Sequence, residues 1–203
     1  MTAQAPPQHQ SLMLQIPKNL SLHVTREQFS ALAAANRDLR LERTATGHLI
    51  VNPPTGSESG QRNAKIITQL GMWCEANELL GEYFDSSTGF ELPNGANRSP
   101  DAAWISRERW ESLTLEQRKG FAPLCPDFVV ELRLETDSLK NLRAKMQEYM
   151  DNGAQLGWLI DPQNKQVEIY RAGQVAEVLN NPSTLSGEPV LPGFTLRLQR
   201  IWS

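Results

Sequence analysis

One segment constrains the fold more than any other. "CPDFVVELRLETD" reads as a buried strand, residues 138–152 as an amphipathic helix, and "LGWLID" as a second apolar strand. In the helix, Leu139, Leu142, Met146, Tyr149 and Met150 share one face, and Gly153 stands where a helix can end in the left-handed region. Strand, helix, strand in that order is the unit that joins parallel strands. The expected class is therefore α/β with some parallel pairing.

The rest of the chain agrees with a mixed fold. "TREQFSALAAAN" opens a helix, with Thr25 as N-cap and Gln28 closing a capping box. "LRLERTATGHLIVNPPTG" reads as a hairpin, and residues 61–77 as a helix with Ile66, Ile67, Leu70, Trp73 and Cys74 on one face. "GEYFDSSTGFELPNGANRSPDAAWIS" reads as short strands and turns, and "SRERWESLTLEQRKG" as a polar surface helix. "LGWLIDPQNKQVEIYRAG" is a second hairpin, and "PVLPGFTLRLQRIW" a last strand or cover. Residues 1–20, rich in Gln and Pro, are expected to form a disordered tail, and residues 21–203 a single domain.

Composition narrows the function classes. The net charge of -3 announces no strongly basic nucleic-acid binder. Cys74 and Cys125 lie far apart without metal-ligand spacing, so they read as buried free thiols rather than a zinc site. No apolar run is long enough for a transmembrane helix, and the N-terminus lacks a secretory pattern, so a cytoplasmic location is expected. No triad order and no phosphate-binding glycine loop is present.

Charged residues inside the apolar strand are the candidates for chemistry. Side chains alternate along a strand, so Phe128, Val130 and Leu132 point one way, and Asp127, Val129, Glu131 and Arg133 the other. Glu131 and Arg133 would then stand about 7 Å apart on one face. They can form a salt bridge, or a site where the carboxylate holds a metal and the cation steadies a phosphate. A magnesium site needs a second acid. Asp101 in "RSPDAAWIS" offers one, while Asp127 lies further from Arg133. Lys145 borders the apolar stripe of the following helix, either as a lysine with its stem on the core or as an ammonium reaching the carboxylates.

The order "SPDAAWIS … PDFVVELRLETDSLKNLRAKMQEYMDNGAQLGWLIDPQNKQVEIYR" resembles the bacterial Uma-two family, within the PD-(D/E)XK nuclease superfamily. The resemblance extends over about residues 25–202. It implies a restriction-endonuclease-like core, a central mixed sheet flanked by helices. It implies Asp101 as the PD aspartate and Glu131 as the second carboxylate, both ligating Mg²⁺ or Mn²⁺, with the Leu132 carbonyl as a further ligand. The usual lysine slot holds Arg133, which stays protonated but can hold a phosphate. In related nucleases that lysine can move to the adjacent helix, a role Lys145 fits. Glu42 matches a recurrent acidic position and is expected as an accessory residue. "LETD" replaces the usual "SPSD" ahead of the helix.

The activity this resemblance implies is metal-dependent endonucleolytic hydrolysis of DNA, by a homodimer whose two sites meet two strands. The competing reading is an inactive nuclease fold kept as a DNA-binding or protein-interaction module. A third is action on a branched junction or RNA.

Overall fold

Thr25 caps the first helix as its sequence predicts: its hydroxyl accepts from the Gln28 N–H, and the Gln28 side chain accepts from the Thr25 N–H. A computed structural model describes residues 21–202; the expected disordered tail, residues 1–20, lies outside the described residues. In chain order the elements are α1 (Arg26–Ala35), β1 (Arg40–Arg43), β2 (Leu49–Asn52), α2 (Ser57–Ala76), β3 (Gly81–Asp85), β4 (Phe90–Glu91), β5 (Asn97–Arg98) and β6 (Ala102–Ser106). They continue with α3 (Arg107–Glu111), α4 (Leu115–Arg118), β7 (Phe128–Leu132), α5 (Leu139–Asp151), β8 (Leu156–Asp161), β9 (Gln166–Arg171), β10 (Glu177–Asn180), β11 (Thr184–Ser186) and β12 (Thr195–Arg197).

The central sheet runs β10-β9-β8-β7-β6-β3. Its parallel pair is β7 with β8, joined by the α5 crossover, and the other neighbours are antiparallel. The sheet is therefore mixed and flanked by helices, a restriction-endonuclease-like core. β7 is buried along its whole length. Phe128, Val130 and Leu132 join Ile66, Leu70 and Cys74 of α2 in one core. Val129 faces the other way, against Met146 and Tyr149 of α5. A strand covered on both faces must be apolar on both, which is why "DFVV" does not alternate with polar residues.

Two details depart from the sequence reading. Helix α2 begins at Ser57, four residues before the expected Gln61, and an i,i+4 ion pair between Glu58 and Arg62 braces its first turn. The polar surface helix is two short helices, because Thr114 forms a capping box with Gln117 and restarts the chain. The first hairpin lies outside the central sheet, in a second sheet ordered β2-β1-β5-β4. Among the described residues the C-terminal strand β12 pairs only with β11, and Leu196, Leu198 and Ile201 close the α2 side of the core. Both cysteines are free and buried. No helix among the described residues is long and apolar enough to cross a membrane.

Candidate active site

The β6–β7 register sets the two acids. Ala102 pairs with Val130, and the Asp101 N–H donates to the Val130 carbonyl at 2.9 Å. Continued by one step, that register puts Asp101 beside Glu131. Both Asp101 oxygens are gripped: Oδ2 accepts from the Leu132 N–H at 2.8 Å, and Oδ1 from Arg40 Nη1 at 3.0 Å.

Helix α5 packs over the same end of β7 and supplies the cation. Lys145 Nζ lies 2.8 Å from Glu131 Oε1 and 2.9 Å from Glu42 Oε1. One turn on, the Tyr149 hydroxyl donates to Glu131 Oε1 at 2.9 Å. Ser138 caps the helix by accepting from the Asn141 N–H, so the residues of "LETD" form the turn before it.

Glu42 comes from β1 in the second sheet and is almost wholly buried. It also accepts from Arg98 Nη1 at 3.3 Å and the Ser99 N–H at 3.2 Å, and Arg98 continues to Glu148 of α5 at 2.6 Å. Glu42 thus contacts Lys145, Arg98 and Ser99 at once. Its only sequence signal was the recurrent acidic position, because nothing local reveals that a hairpin residue meets a helix 103 positions later.

Charge is unevenly balanced. Burial pushes the Glu131 carboxyl above its ordinary range, and Asp101 and Glu42 add to this against the opposing pull of Lys145. Burial also pushes Glu42 up, but Lys145 and Arg98 outweigh it and hold it below the usual carboxylate range. Burial alone would lower Lys145, yet the two glutamates hold it above the ordinary lysine value. Tyr149 is pushed well above the ordinary tyrosine value, first by burial and then by the same two acids. Lys145 and Tyr149 are therefore donors here, not bases.

The cluster opens into a cavity of about 1000 Å³ between α2, the β1–β2 hairpin and the start of α5. Glu42, Asp85, Asp101, Glu131, Asp137 and Glu148 line it, against Arg40, Arg98 and Lys145. No group of three or more Asp, Glu, His or Cys among the described residues forms a metal cage. A two-carboxylate donor set still fits a hard divalent cation, since Mg²⁺ is commonly held by one or two carboxylates with water and phosphate oxygens. Asp101 and Glu131 could form that set. The excess of acids over cations in the lining fits an added cation.

Arg133 is not brought into this cluster. Its guanidinium pairs with Asp161 at the end of β8 at 2.6 Å, and it is absent from the cavity lining among the described residues. The expected Glu131–Arg133 partnership does not form. β7 ends at Leu132, the Arg133 N–H donates to the Ile160 carbonyl, and the side chain follows the parallel neighbour. Asp127 is also apart: it accepts from the Ser106 N–H, Arg109 and Gln155 at the other end of the strand.

A mixed sheet with an acid on each of two neighbouring strand ends and a lysine on the crossover helix defines a protein of the restriction-endonuclease-like class by fold. The chain belongs to the Uma2 family, described as "putative restriction endonuclease", whose profile matches residues 26–199. The fold is also similar to the crystal structure of a putative nuclease belonging to DUF820 from Anabaena variabilis. That likeness has a TM-score of 0.67 and 18% identity, and covers 80% of this chain and 89% of that one. No curated protein matches the chain.

Proposed function

We propose that this protein is a divalent-metal-dependent endonuclease that hydrolyses DNA phosphodiester bonds. The observation that carries the reading is Lys145 Nζ at 2.8 Å from Glu131, on the strand end beside Asp101. The family and the fold of the DUF820 nuclease support it.

Asp101 and Glu131 would hold Mg²⁺ or Mn²⁺, which supplies Lewis acidity toward the phosphate and activates water. In the hydrolysis one P–O bond to water forms and one ester P–O bond breaks. Lys145, kept protonated by its two glutamates, donates to the phosphate oxygen on which charge builds or holds the incoming water in line. Glu42 holds Lys145 from the far side, fixing the ammonium against Glu131. Tyr149 fixes the Glu131 carboxylate through its hydroxyl. Arg133 is held by Asp161 and is absent from the cavity lining among the described residues, so its role in this reading is to anchor the strand end. The acid-rich lining repels DNA until a cation is held there. A homodimer would present two such sites to two strands.

Two observations favour the inactive-module reading: Lys145 is already shared between two buried carboxylates, and Arg133 is held by Asp161. Cleavage separates the two. The test is purified protein with Mg²⁺ or Mn²⁺ and linear, supercoiled, single-stranded and branched DNA, with RNA alongside. Metal-dependent cutting of DNA is expected, abolished in Asp101→Asn and Glu131→Ala. Full activity in Glu131→Ala would remove the site assignment. Binding without cutting in every condition would favour the module.

A further inference from the structure

Arg40 was given no role by its sequence context, yet it makes the most direct side-chain contact to Asp101. It is the first residue of β1, two positions before Glu42, so both side chains leave the strand on the same side. Its guanidinium grips the Ser99-Pro100-Asp101 segment at two points. Nη1 donates to Asp101 Oδ1 at 3.0 Å, and Nη2 donates to the Ser99 carbonyl at 2.6 Å. One rigid fork therefore holds the aspartate's side chain and the backbone two residues before it. Leu132 N–H pins the other carboxylate oxygen. The Arg40 Nε is buried and has no hydrogen-bond partner among the described residues, so the two Nη groups make the fork's hydrogen bonds.

We infer that Arg40 is a positioning residue for the metal site: it sets the orientation in which Asp101 meets a divalent cation. The inference rests on the proposed function above. It makes β1 of the second sheet part of the site twice, through Glu42 to Lys145 and through Arg40 to Asp101.

The sign of one measurement separates positioning from charge. Arg40 is itself a cation beside the acids, so on Coulombic grounds alone its removal strengthens cation binding. A positioning residue does the opposite, because a misdirected carboxylate is a poor ligand. A merely structural residue changes stability and leaves affinity alone. The experiment is calorimetric titration of Mn²⁺ into the wild-type chain, Arg40→Gln and Arg40→Lys, with thermal unfolding of each. Arg40→Gln should weaken Mn²⁺ binding about tenfold or more, the usual effect of losing an outer partner of a ligand. Arg40→Lys keeps the charge but not the fork, and should also bind more weakly than wild type. It serves as the decisive variant if Arg40→Gln does not fold. Unchanged or tighter Mn²⁺ binding in the folded variants, beside a wild type that binds, overturns the role of Arg40 alone. A wild-type chain that binds no Mn²⁺ overturns the metal reading and this inference with it.

Discussion

Lys145 reaches Glu131 Oε1 at 2.8 Å from a helix that packs across the strand holding that carboxylate. The lysine is mostly buried and both of its glutamate partners are buried, so the cluster depends on it for charge balance. Lys145→Met leaves Glu42 and Glu131 facing each other without their shared cation, and should cost about 3–5 kcal/mol. Urea denaturation measures the loss. Adding Glu42→Gln to Lys145→Met should recover part of it, since one of the stranded charges is gone.

Tyr149 should prove a donor and nothing more. Burial, then Glu131 and Glu42, keep its hydroxyl protonated far beyond neutral pH. Tyr149→Phe removes one hydrogen bond to Glu131 and should cost about 1–3 kcal/mol. Thermal unfolding gives the value. An unchanged midpoint would mean that Glu131 does not use this bond.

The Arg133–Asp161 pair predicts an acid limb of stability. Burial pushes the Asp161 carboxyl up, but hydrogen bonds from Asn164 and Arg133 outweigh it and hold it below the usual aspartate value. A depressed folded-state value means a contribution fully present above the unfolded value and lost as pH falls through the folded one. Arg133→Met should therefore lower stability by about 1–3 kcal/mol at pH 7. The difference from wild type should shrink below about pH 4, where Asp161 protonates in the unfolded chain. Denaturation curves across that range test it, and a constant difference down to the lowest pH would contradict the pair.

Two glycines should respond to alanine with very different costs. A Cβ on Gly157 of β8 meets the terminal methyl of Met146 at 2.5 Å and that of Met150 at 3.1 Å, both at the ends of flexible side chains. A Cβ on Gly81 of β3 meets the Ile105 backbone carbonyl and the Trp104 ring. Gly157→Ala should stay within about 1–3 kcal/mol of wild type, while Gly81→Ala should exceed that range or fail to fold. Urea midpoints of the two variants decide it.

These residues also show what could be read before the fold was known. The period of two along β7 put Phe128, Val130 and Leu132 on one face, and the helical spacing of Leu142, Met146 and Tyr149 set Lys145 beside the apolar stripe. Both are local properties of the chain. Arg133 belonged to the face of Glu131 by the same count, but the strand stops at Leu132 and the parallel neighbour supplies Asp161. No local pattern encodes that register. Glu42 and Arg40 were harder still. Their hairpin joins a second sheet, and only long-range packing carries it to Asp101 and Lys145. The start of α2 carries no local signal, because Gly56 gives no side-chain cap to mark it.

The α5 crossover has a consequence for the order in which the molecule assembles. Glu131 and Tyr149 are separated by 18 positions, whereas Glu42 and Lys145 are separated by 103. Closing the short loop costs less chain entropy than closing the long one, so local contacts are favoured first during folding. The strand, helix and strand from β7 to β8 can thus gather one carboxylate, its lysine and its tyrosine before β1 arrives. Until then, the lysine has one acid rather than two. The charge cluster is completed last, by the strand 103 positions away in sequence.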